Sequence, residues 1–74
     1  MRTREENVQR ILRGVEDGTL VLADLNAVDR DDLMAFDSLD LTAWEENLSS
    51  GSQVYGDLTL REVRKAKELS EQLQ

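Results

Sequence analysis

Residues Asp24 to Asn47 count in eights. The segments DLNAVDRD, DLMAFDSL and DLTAWEEN each open Asp-Leu-x-Ala, then place an apolar residue and an acid, with Asp24, Asp32 and Asp40 as the starts. No other feature of the chain limits its fold as much. In one straight α-helix eight residues turn through about 800°, so the apolar seam drifts by about 80° per repeat and cannot stay against one surface. The spacing therefore predicts short helices with bends between them. Each repeat-opening Asp is an N-cap candidate, followed directly by Leu and, at the fourth position, by a larger apolar residue. Asp29 and Thr42 offer competing caps, and Thr42-Ala43-Trp44-Glu45 has the pattern of a capping box. Helices are expected over about 20–27, 30–38 and 42–49. Leu25, Val28, Leu33, Phe36, Leu41, Trp44 and Leu48 form the expected inward set. Side-chain size at the fourth position grows from Val28 to Phe36 to Trp44, which suits a core with its widest gap near Trp44.

The two ends are marked more plainly. Thr3-Arg4-Glu5-Glu6 reads as a capping box, and Val8, Ile11, Leu12 and Val15 follow on one helical face, so a helix over about 4–17 is expected, stopped by Gly18. Thr59-Leu60-Arg61-Glu62 repeats the cap pattern. Val63, Ala66, Leu69 and Leu73 share an arc behind it, which predicts a last helix over about 60–73. Arg64 with Glu68 and Lys67 with Glu71 add opposite charges one turn apart. Ser49–Asp57 reads as a loop punctuated by Gly51 and Gly56. The fold class expected is all-α: one small domain over 1–74, a compact array of four to five helices with longer first and last helices around short central ones.

Composition narrows the chemistry. Seventy-four residues support a marginal core, so added burial from a partner or from self-association is a reasonable expectation. The chain has no Cys and no His, which removes thiolate metal sites, disulfides and the usual general base. No serine has a recognisable base and no glycine-rich loop cradles phosphate, so an enzyme is not expected. The start, MRTREENVQR, is charged, and no apolar run resembles a signal peptide or a membrane span; a cytoplasmic protein without membrane contact is the expectation. The net charge of −7 is unevenly laid out. Arg2, Arg4, Arg10 and Arg13 outnumber Glu5 and Glu6 at one end, and Arg61, Arg64, Lys65 and Lys67 outnumber Glu62, Glu68 and Glu71 at the other. Between Gly14 and Leu60 eleven acids face Arg30 alone.

These features point first to a non-enzymatic interaction module, a small acidic regulator, adaptor or inhibitor of phage-type accessory character, binding a basic surface on a larger protein partner. Expected contact residues are Asp29, Asp31, Asp32, Asp37 and Asp40, with Trp44 or Tyr55 as aromatic anchor if exposed. Homo-oligomer formation through leftover apolar surface is also expected, and no cofactor or metal is. Asp29, Asp31, Asp37 and Asp40 fall at positions 1, 3, 9 and 12 of a calcium-loop frame, but Leu33 and Met34 occupy the places of a ligand and a glycine. LTLREVRKAKELSEQL resembles the opening helix of small helix-turn-helix repressors. No recognition helix follows and the chain is acidic, so direct nucleic-acid binding is not expected.

The alternative reading concerns Ala35 to Leu41, AFDSLDL. It resembles the attachment site of acyl and peptidyl carrier proteins, where a serine after Asp carries a phosphopantetheine arm. Length, acidity and the opening TREENVQRIL are similar to that family too, although Ala35 stands where the family has glycine. The resemblance implies Ser38 as the modified residue, held at a helix N-terminus whose dipole favours a phosphate.

Overall fold

Both end helices form where their caps place them. In a computed structural model, which describes residues 2–74, helix α1 spans Arg4–Asp17 and helix α4 spans Leu60–Leu73. Thr3 Oγ1 accepts the Glu6 amide at 3.1 Å, and Gly18 closes α1 at φ 79°, a left-handed conformation that glycine adopts without steric cost. At α4 the capping box is reciprocal: the Glu62 amide donates to Thr59 Oγ1 at 3.3 Å, and the Thr59 amide donates to Glu62 Oε1 at 2.9 Å. Gly14 lies inside α1 because a Cβ there would stand 2.8 Å from Leu20 Cβ, where the chain folds back.

The centre departs from the expected pattern. The segment expected as helix over 20–27 contains a single 3-10 turn at Leu22–Asp24. Helix α2 runs over Ala27–Met34, and residues 35–38 continue as turns. Helix α3 is short, Thr42–Asn47. The α2 cap is Asn26, whose Oδ1 accepts the Asp29 amide at 2.8 Å. Of the three repeat Asp residues, Asp40 alone serves a helix start, accepting the Thr42 amide at 3.0 Å. Asp24 ends the 3-10 turn and Asp32 lies within α2. Thr42 is the first residue of α3 and does not cap it.

The all-α expectation needs one correction. Gln53–Tyr55 (β1) and Leu58–Thr59 (β2) pair antiparallel within the stretch read as loop. Val54 and Tyr55 suit a strand, and Gly56 opens the two-residue connection at φ 57°. The hairpin is fastened at both sides. A Cβ on Gly56 would meet Glu5 Cγ of α1 at 2.8 Å, and the Leu60 and Arg61 amides donate to the Ser52 and Ser50 carbonyls at 2.8 and 3.0 Å. The first turn of α4 is thus satisfied by the hairpin's leading loop as well as by its own cap.

The core sits where α1, α2 and α4 meet. Val8 and Ile11 of α1, Leu33 of α2, Phe36 of the following turn, Leu58 of β2, and Val63 and Ala66 of α4 are completely buried. The repeat survives in one position. Its leucine, Leu25, Leu33 and Leu41, is buried every time, whereas the larger apolar residue at the fourth position after Asp diverges: Val28 is 65% exposed, Phe36 is 0% exposed and Trp44 is half-buried. Val28 faces away because Leu33 and Asp29 take the inner side of α2. Leu48 is 42% exposed because α3 ends before it and the chain turns out into the hairpin. The largest fully buried side chain is Phe36, with the Tyr55 ring 4.9 Å from it at 53°, and not Trp44.

Candidate functional site

Asp29 and Asp32, two carboxylates expected at a partner surface, instead join α2 to α1. Asp29 is 8% exposed. Asn7 Nδ2 donates to Asp29 Oδ1 at 2.9 Å and to Asp32 Oδ2 at 2.7 Å. Arg10 holds Asn7 in that orientation through two hydrogen bonds to its Oδ1, and its Nη2 lies 2.9 Å from Asp29 Oδ1. Arg4 approaches Asp32 at 3.7 Å. Burial alone would raise the Asp29 pKa, but the hydrogen bonds from Asn7 and Arg10 and the charge of Arg10 outweigh it, and Asp29 is held below the ordinary carboxylate value. Spacing along the octad gave no sign of this. The available signal lay in α1, where Asn7 and Arg10 share one face with the apolar Val8 and Ile11.

The remaining expected residues spread over different surroundings. Asp31 is exposed on α2. Asp37 is half-buried, 3.5 Å from the buried Ser70 Oγ of α4. Asp40 is exposed and sits below its ordinary pKa, first because the Thr42 amide donates to it and further because of the Thr42 hydroxyl and the Lys67 charge. Lys67 donates to the Leu39 carbonyl and so ties the link before α3 to α4. Trp44 and Tyr55 are half-buried and pack against the core. Ser38 is exposed in the turn after α2, four residues ahead of Thr42, where α3 begins. The helix N-terminus that the carrier-protein resemblance implies for Ser38 is not formed there.

What remains accessible is still strongly acidic. Glu16, Asp17, Asp24, Asp31, Asp40, Glu45 and Glu46 are exposed, with Arg30 as the single cation in that stretch of chain. Glu45 has a partner, Arg64 at 3.4 Å, but both side chains are more than two-fifths exposed and water screens the pair.

A second surface was not apparent from spacing. The carboxyl half of α1 and the amino half of α4 border an open groove of about 780 Å³. Leu12 and Val15 are the apolar part of its lining, Ser50 and Gly51 join it from the loop ahead of β1, and Arg13, Arg61 and Lys65 line it with Glu16 and Glu62. Glu62 is already bonded to the Thr59 amide. Among the described residues no carboxylate lies within ion-pair distance of Arg13 or Arg61. The cation-rich ends of the chain, remote in sequence, thus meet at one face. Among the described residues no group of His, Cys, Asp or Glu is arranged to hold a metal ion, and no helix is long and apolar enough to cross a membrane.

Compared with known proteins, the chain matches no family model, no curated protein and no solved structure.

Proposed function

We propose that the protein is a non-enzymatic interaction module, a small regulator, adaptor or inhibitor that presents an acidic face to a basic surface on a larger protein. The observation that carries this reading is the excess of exposed carboxylates left after Asp29 and Asp32 are tied to α1. Asp24, Asp31, Asp40 and Glu46 stand on the outside of the central segment, where Arg30 is the one cation in sequence and Lys67 of α4 lies near Asp40. Such a field raises the rate of encounter with a cationic surface and fades with salt. The uncovered apolar side chains Val21, Val28 and Leu48 suit contact with a partner or with a second copy.

The test begins with a partner captured from the source cell, then purified and bound in isolation. The quadruple variant Asp24→Asn, Asp31→Asn, Asp40→Asn, Glu46→Gln is expected to associate at least ~10-fold more slowly at low salt, and wild type is expected to lose that advantage as salt rises. An association rate indifferent to both salt and these substitutions would refute the proposal. The alternative, a carrier protein with a phosphopantetheine arm on Ser38, is separated by intact mass after incubation with a phosphopantetheinyl transferase and coenzyme A. The interaction module gains no mass.

A further inference from the structure

The groove between α1 and α4 has chemistry opposite to that of the central segment. Its partly apolar, cation-rich lining suits a protruding turn that carries an apolar side chain between carboxylates, and its volume of about 780 Å³ admits a turn of helix. The start of α2, with Asp24 ahead of it and Asp31 one turn on, has that form, and Arg30 is the one cation within it. Val28 is the most exposed large apolar side chain, at 65%, and Ala27 beside it is exposed as well. Asp31 follows one turn along the same face and Asp24 stands just ahead, both exposed. A chain of net charge −7 repels its own copies, whereas the groove sets three cations, of which Lys65 is paired with Glu68 at 3.8 Å, against two carboxylates, one of them committed to the α4 cap. It is therefore a place where an acidic turn of a second copy can approach with little like-charge repulsion.

We propose that the first turn of α2 of one copy docks into the α1–α4 groove of the next, with Val28 on Leu12 and Val15 and with Asp24 and Asp31 facing Arg13 and Arg61. The two faces are different, so the contact is heterologous and leaves one groove and one α2 turn free at the ends of every assembly. The contact is small, so association is weak and salt-dependent. This proposal does not depend on the existence of a basic partner, though the two would compete for α2.

Analytical ultracentrifugation of the full chain between ~10 μM and ~1 mM, the window in which a weak interface registers, supplies the test. The wild-type weight-average mass is expected to climb with concentration at low salt and to fall back toward the monomer at high salt. Val28→Asp and Arg61→Glu each place an acid at an exposed position in the first turn of a helix, where the helix dipole favours it, and both variants are expected to keep the wild-type circular dichroism. Asp31→Lys and Lys65→Glu serve in their place if either does not. Each variant alone is expected to remain monomeric. Mixed in equal amounts they are expected to form a dimer that grows no further, since Val28→Asp retains an intact groove and Arg61→Glu an intact α2 turn. A wild-type chain that stays monomeric overturns the proposal and leaves the groove to a segment of another protein. A folded mixture as monomeric as its components overturns it too, because the two faces then do not meet.

Discussion

Protonating Asp29 removes the negative charge that strengthens the hydrogen bonds it accepts from Asn7 and Arg10. Its carboxylate is held below the ordinary value in the folded chain, so the stabilisation is fully present above the unfolded carboxylate range and is lost as pH falls through the folded value. Asp29→Asn is expected to cost about 1–2 kcal/mol near neutral pH, the range for a hydrogen bond to a charged group discounted for the part-exposed Arg10. The difference from wild type should narrow toward about pH 3. Urea denaturation at the two pH values measures it; a gap that widens on acidification would contradict the role given to this carboxylate. The repeat places Asp29, Asp37 and Glu45 at one equivalent position, yet they are buried, half-buried and exposed. Partner residues decide that outcome. Asp29 faces Asn7 and Arg10, Asp37 faces Ser70, and Glu45 meets Arg64 across water-accessible space.

At the scale of elements, the start of α4 gathers more hydrogen bonds than the start of α1. Thr59 and Glu62 bond reciprocally, and the hairpin loop takes the next two amides; Thr3 makes one exposed bond. Thr59→Ala is therefore expected to destabilise the protein by about 1–2 kcal/mol, and Thr3→Ala by about 0.5–1 kcal/mol, in equilibrium denaturation. Equal losses would mean that the coupling between hairpin and helix adds nothing. These two helices were legible because their signals are local: a threonine, a glutamate three residues on, and an apolar face at helical spacing. The hairpin was not. Two strands of three and two residues bury too little to show a period of two, and their pairing depends on contacts with α1 and α4.

In the whole molecule, Phe36 is the largest side chain fully buried in the core. Phe36→Ala is expected to cost about 3–5 kcal/mol, much of the stability of a domain this small, and to abolish or strongly lower its cooperative thermal transition. Val28→Ala should stay within about 0.5 kcal/mol of wild type, since its side chain is already in water. Similar losses from both would restore the repeat as a uniform packing device. By itself, the sequence determined the two long helices, the buried leucine of each repeat and the acidic excess of the centre, because caps, periodicity and charge act between near neighbours. The tertiary structure decided which aromatic fills the centre, which carboxylates leave the surface and where the cationic ends meet. Those outcomes depend on α1 and α4 closing over the middle of the chain, and no spacing within one segment encodes the shape of a surface contributed by another.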